Sequence, residues 1–193
     1  MQRAGTLRQA AIRNTGAAVD AALILAGALL VALAAQIRIP LPFTPVPITG
    51  QTFAVLLVGA TLGATRGAAS LVLYVLLGAA GLPFYAGGAA GWKVVQGPTG
   101  GYLIGFVAAA WLTGYLAERR WDRRLSSALG AMLSGSVLIY LIGLPWLSWS
   151  LGTGLTKTLE LGLYPFVPGD ILKLYLAGAA LPGAWKVIGR GEP

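Results

Sequence analysis

From Ala17 to Ala35 the chain runs almost without charge, and Asp20 is the one ionisable residue in that stretch. A helix that crosses a bilayer needs about 20 apolar residues, and this run supplies them. Further apolar runs follow at 53–64, 67–82, 100–117, 125–144 and 166–189, separated by segments rich in proline, glycine or arginine. Inside lipid every backbone amide must find its partner within the protein, so apolar runs of this kind have to become helices. The pattern predicts an all-α integral membrane protein: six transmembrane helices in one bundle over residues 1–193, with no room for a second sizeable domain.

Composition agrees. Hydrophobic residues make up 56% of the chain and charged residues 10%, against about 25% charged in a typical soluble domain. The 28 glycines suit close helix packing in lipid. There is no cysteine and no histidine, which removes thiol chemistry, the usual zinc sites and histidine acid–base catalysis. With six acidic residues in all, a membrane-embedded enzyme has few groups to work with, so neither catalysis nor a metal or cofactor is expected. The net charge of +8 gathers at segment ends, which fits a membrane surface and not nucleic acid.

Charge also orients the bundle. Arg3, Arg8, Arg13, Arg66, Arg119, Arg120, Arg123, Arg124, Lys186 and Arg190 fall on one side, ten in all, whereas Arg38, Lys93 and Lys157 make three on the other. Positive loops stay cytoplasmic, so both termini and the "ERRWDRR" loop at 118–124 are expected inside, with Trp121 and four arginines anchoring that loop at the inner surface. Arg3, Arg8, Arg13 and the Ala32-Leu33-Ala34 triplet also fit a cleavable signal peptide. Cleavage would leave five spans and spoil the alternation of charge, so the first run is read as a helix.

This orientation puts three irregular segments on the outer face: 36–50, 83–99 and 145–165. Pro40, Pro42, Pro45 and Pro47 bar regular helix from the first. Together with the adjoining Gln51, the segments hold Gln36, Thr44, Thr49, Tyr85, Lys93, Gln96 and Thr99, a polar set that suggests a wall or lid over an outward-facing pocket. The spaced glycines Gly59, Gly63 and Gly67, and the pair Gly101 and Gly105, are read as packing positions. "GTGLTKT" at 152–158 only imitates a phosphate loop: Lys157 follows Thr156, so the Walker spacing fails. Any energy source must come from an ion gradient or from a partner.

One stretch breaks the apolar rule. "FVPGDILKLYLAGAALPGAW" sets Asp170 and Lys173 three residues apart, hence on one face of a helix, with Pro168 and Gly169 opening that helix. A capping carboxylate with a lysine reaching outward would explain them, and so would a polar pair aimed into a pocket.

"IPLPFTPVPITGQTFAVLLVGA", "GLPFYAGGAAGWKVVQGPTGGYLIGF" and "PGDILK" occur in that order, and together they closely resemble the BioY family. These are the biotin-specific substrate-binding (S) components of energy-coupling factor transporters. The resemblance runs from about Arg38 through Lys173. It implies a multi-pass protein of a prokaryotic cell membrane that binds biotin from outside. It also implies two kinds of partner, a transmembrane coupling (T) protein and a pair of cytoplasmic ATPases. In the family's pattern the carboxylate and lysine of the last helix contact biotin, matching Asp170 and Lys173. The loop before the fourth helix also lines the pocket, matching Tyr85, Gly97, Thr99 and Tyr102. In related S components an Ala-x-x-x-Ala stripe on the first helix meets the coupling protein. Ala18, Ala22 and Ala26 match it here, with Ala28 and Ala32 offering a second register. The residues by themselves also allow a stand-alone secondary transporter, with Asp20 and Asp170 as its titrating groups.

Overall fold

The computed structural model describes residues 5–11 and 16–189. Arg3, Arg13 and Arg190 of the charge count lie outside them. A short helix α1 (Leu7–Ala11) precedes α2 (Ala17–Gln36), and then β1 (Arg38–Ile39) pairs antiparallel with β2 (Ile48–Thr49), Arg38 opposite Thr49. The four prolines between these strands keep the connection out of helix. Next come α3 (Gln51–Leu62), α4 (Ala64–Ala79), α5 (Trp92–Gln96), α6 (Gly100–Glu118), α7 (Leu125–Leu151), α8 (Leu155–Gly162) and α9 (Val167–Gly189).

Among the described residues, α2, α6, α7 and α9 are the four helices long and apolar enough to cross a membrane. Helices α3 and α4 have 12 and 16 residues. At about 1.5 Å rise per residue they reach roughly 18 and 24 Å, short of a ~30 Å hydrocarbon core.

Two boundaries differ from the sequence reading. The break between the second and third runs falls at Gly63, not at Arg66, which lies inside α4. Gly63 has φ 88°, a conformation that strains residues with a side chain, and a Cβ there would stand 2.6 Å from Glu118 Oε1 and push that carboxylate off the Ala64 amide. Arg66 stays in the helix, where its guanidinium pairs with Asp20 at 2.7 Å. The second difference concerns 145–165, which is largely helical. Helix α7 continues through Pro145 to Leu151 and ends at Gly152 in the left-handed region, after which α8 forms. The proline removes one N–H and does not stop the helix, a tolerance found where neighbouring helices hold the segment in place.

Small residues set the helix spacing. A Cβ on Gly59 would approach Ala110 O to 2.4 Å, one on Gly67 would approach Gly59 Cα to 2.8 Å, and one on Gly114 would approach Ala64 N to 2.4 Å. Helices α3, α4 and α6 therefore cross nearly backbone to backbone. Gly101 and Gly105 do the same for α6 on α7, facing Trp146 and Ile139. Gly59, Gly67, Gly101 and Gly105 pack helices, as read from their spacing, whereas Gly63 does not: it is the turn between α3 and α4. On α2, Ala28 and Ala32 are buried, while Ala18, Ala22 and Ala26 are exposed.

At the end away from the β-ribbon, Asp20 accepts from Arg8 at 2.6 Å and Arg66 at 2.7 Å. Glu118 Oε1 accepts the Ala64 amide at 2.9 Å, and Trp185 Nε1 donates to Asp122 at 2.5 Å. Ion pairs and charge-assisted hydrogen bonds thus tie α1, α2, α4, α6 and α9 together at this end.

Candidate substrate-binding site

At the opposite end the helices splay around a cavity of about 240 Å³. Its floor comes from α6, α7 and α9, and its rim from the β-ribbon and the segments at 85–99 and 162–166. Most of the wall is apolar, with Val46, Leu103, Phe106, Ile139 and Phe166 among its residues. This is the usual make-up of a small-molecule site: an apolar body with a few placed polar groups.

The polar groups converge on one spot. Asp170 lies in the first turn of α9, where the helix dipole favours a carboxylate. Its Oδ1 accepts from Lys173 Nζ at 3.1 Å and from Thr52 Oγ1 at 3.4 Å, and its Oδ2 accepts from the Tyr140 hydroxyl. Lys173 Nζ also donates to Thr52 Oγ1 at 3.2 Å. The Asp170 side chain is 10% exposed and that of Lys173 18%, so the ion pair is largely withdrawn from water. Such a pair is maintained only when hydrogen bonds complete it, and Thr52 and Tyr140 supply them. Helix geometry puts Asp170 and Lys173 side by side, and α3 and α7 bring the two hydroxyls.

Hydrogen-bonding capacity remains. A carboxylate accepts about four hydrogen bonds and an ammonium donates three. Among the described residues, Asp170 has one acceptor position left and Lys173 one N–H. A ligand that presents an N–H beside a carbonyl oxygen matches both vacancies.

The rest of the wall is held by side chain to backbone bonds. Thr44 Oγ1 donates to Leu161 O at 2.7 Å, which fastens the ribbon to α8. The Tyr102 hydroxyl donates to Gly162 O at 2.9 Å, and its ring meets Tyr140 edge-on at 6.2 Å. The Tyr85 hydroxyl donates to Val75 O at 2.7 Å, and burial pushes its phenol above the ordinary value, so it stays a neutral donor. Gln51 donates to Tyr74 at 2.5 Å and accepts from Thr49 at 2.9 Å.

Of the residues singled out in the sequence, Asp170, Lys173, Tyr85, Thr99 and Tyr102 line the cavity, and so do Thr49 and Gln51. Gly97 is outside the lining; its carbonyl accepts from Trp146 Nε1 at 2.9 Å, which pins the 83–99 segment to α7. Gln36 is spent on Ala32 O at 2.9 Å, and Lys93 and Gln96 are not in the wall. The sequence reading missed Thr52, Tyr140 and Arg38. Arg38 stands at the rim as one of the few cations on this side. Tyr140 carried one usable signal, as a phenol within the otherwise apolar run 137–144.

Comparison with known proteins bears on the family and the fold. The biotin transporter BioY of Rhizobium etli is 39% identical over 169 residues, covering 84% of this chain and 89% of that protein. The biotin transporter BioY of Rhodobacter capsulatus is 40% identical over 162 residues, covering 78% and 84%. A crystal structure of the S-component for biotin from an ECF-type ABC transporter superposes with a TM-score of 0.78 at 26% identity, covering 88% of this chain and 92% of that one. Residues 6–190 match the BioY family itself, and with these relatives the chain belongs to that family.

Proposed function

We propose that this chain captures biotin in the cavity at its ribbon end and delivers it inward with an ATP-driven coupling module. The observation that carries the reading is the buried Asp170–Lys173 pair with one acceptor position and one N–H still open. Biotin's ureido group presents an N–H and a carbonyl oxygen side by side, so Asp170 takes the N–H and Lys173 the oxygen. The apolar bicycle lies against Leu103, Phe106 and Ile139. Arg38, the cation at the rim, is placed to meet the carboxylate tail. Relatives that carry the name of biotin transporter, and a solved S-component for biotin, support this choice over other small vitamins.

In this reading α2, α3, α4, α6, α7 and α9 are six membrane helices with both termini cytoplasmic, and α3 and α4 are the short pair. Ala18, Ala22 and Ala26 face outward from the bundle and are assigned to the transmembrane coupling protein, which joins the chain to the two ATPases. The failed Walker spacing at 152–158 fits that division of labour. For a proton-coupled carrier the structure offers less, because Asp20 is clamped by two arginines and Asp170 by three donors.

Equilibrium binding of biotin, thiamine and riboflavin to the purified chain tests the assignment. Biotin should bind at least a hundredfold more tightly than either competitor, because a site built for polar contacts rejects ligands that leave them unpaired. Comparable affinity for all three would refute it. Uptake by vesicles with and without the ATPase module separates coupled import from stand-alone transport.

A further inference from the structure

The turn between α6 and α7 packs Arg119, Arg120, Trp121, Asp122, Arg123 and Arg124 into consecutive positions, and the structure sorts these charges. Asp122 turns inward: it is 1% exposed and accepts from Trp185 Nε1 at 2.5 Å. Burial raises its carboxyl above the ordinary range, a shift that the Trp185 bond and Arg123 offset in part. Arg123 lies over the same Trp185 ring at 3.7 Å. The neighbouring acid, Glu118, bends back to the Ala64 amide. Arg119, Arg120 and Arg124 remain exposed, as does Trp121. Among the described residues, the acids at this end, Asp20, Glu118 and Asp122, are engaged elsewhere.

Two further observations bear on this surface. Trp111, Tyr115 and Arg119 recur at four-residue spacing and share one face of α6. The Trp111 and Tyr115 rings stack at 5.3 Å, and the Arg119 guanidinium covers the Tyr115 ring at 3.5 Å. With Trp111 48% exposed, this face passes from an open aromatic platform to a cation at the helix end. Separately, Arg120 has φ 68°, and among the described residues it is the one non-glycine with positive φ. It follows the C-cap of α6, a position where glycine is the common choice. A strained backbone of this kind persists where the side chain has a use.

We propose that this turn is a binding site for anionic phospholipid, with the headgroup phosphate held by Arg119, Arg120 and Arg124 and the Trp111–Tyr115 stack lying against the glycerol and upper acyl region. Aromatic rings beside a cation are the side-chain pairing of a membrane–water interface, whereas a protein partner drawn by charge alone would need no open aromatic platform. The site rests on the reading that this turn lies at the membrane surface.

The test uses the full chain in phosphatidylcholine vesicles doped with spin-labelled phosphatidylglycerol or spin-labelled phosphatidylcholine. The fraction of each label held motionally restricted at the protein is measured. Each cation near an anionic headgroup is worth about fivefold in affinity, so phosphatidylglycerol should be preferred several-fold, and less so as salt rises. The combined Arg119→Gln, Arg120→Gln and Arg124→Gln variant should fall to parity and keep its biotin binding. Arg120→Gly alone should lower the preference and raise the thermal midpoint, since glycine relieves the left-handed backbone. Equal restriction of both lipids by the parent, or an undiminished preference in the triple variant, overturns the site. So does a triple variant that keeps its lipid preference and loses only the ATPase module, which would make the patch a protein-docking face. Both leaflets of these vesicles have the same composition, so a wrong orientation of the chain leaves the lipid result unchanged and shows only in surface labelling.

Discussion

Asp170 and Lys173 do different work inside the same ion pair, and their neighbours show how. If Lys173 is replaced by Met, Asp170 keeps Thr52 and Tyr140 as donors. If Asp170 is replaced by Asn, Lys173 can still donate to the amide oxygen and to Thr52 but loses its counter-charge in a site withdrawn from water, so this is the harsher change for the empty protein. Each variant should still bind biotin more weakly, because a hydrogen bond to a charged group is worth about 1.5–3 kcal/mol, or roughly ten- to a hundredfold. Tyr140→Phe removes a donor that only supports the carboxylate, so its loss should be nearer 1 kcal/mol, about fivefold. Titration calorimetry on the three purified variants gives the order. Folded variants of Asp170 and Lys173 with parental affinity would leave the pair a cap and a lysine held for stability. The pair itself was legible in the sequence, because two charges in an apolar run demand a reason and i,i+3 spacing puts them on one face. Thr52 was not, since a lone hydroxyl in a span carries no periodic mark until the helices that bring it close are packed, and Tyr140 offered only its phenol in an apolar run.

At the scale of single elements, α2 presents two alanine stripes with opposite fates. Ala28 is fully buried, and the adjacent Gly27 sits so close to α4 that a Cβ would reach Ser70 Oγ at 2.6 Å. Ala18, Ala22 and Ala26 look outward. The repeat in the sequence offered both registers, and only the packing of α2 on α4 separates them. Ala28→Leu should overpack the bundle and destabilise it by about 1–3 kcal/mol, seen as a lower thermal midpoint in detergent. Ala22→Trp should leave stability and biotin binding nearly untouched while it holds the coupling protein's helix away, seen as loss of co-purification with the module. If Ala22→Trp impaired biotin binding instead, the outward face would belong to the bundle. Helix ends were the least readable part of each element. Pro145 suggested a stop that neighbouring helices override, and Arg66 suggested a loop because its partner Asp20 is 46 residues away.

Across the whole molecule, most of the cations among the described residues lie at the end opposite the cavity. Arg8, Arg66, the arginines at 119–124 and Lys186 belong to the end where Asp20 and Asp122 are engaged, while Arg38 lines the cavity and Lys157 sits on α8, packed against the ribbon. The apolar runs and the arginine count were enough to anticipate the helices and this polarity. They could not reveal the cavity, whose wall draws on the ribbon and on α3, α6, α7 and α9 and so exists only after packing. Orientation in the membrane is testable directly, because the chain has no native cysteine. Position 122, midway along the arginine-rich turn, is a poor probe: Asp122 is buried on Trp185, and a cysteine there would disturb the turn and escape the reagent. Ser126 is exposed at the start of α7, and the Lys157 side chain is 60% exposed on α8. Both sites are free of the candidate pocket. An impermeant maleimide added to intact cells should label Lys157→Cys at once and label Ser126→Cys only after the membrane is opened, as the excess of cations at the Ser126 end requires. The reverse pattern would place the cavity on the cytoplasmic side, and with it would go the reading of this chain as a capture component for solute from outside.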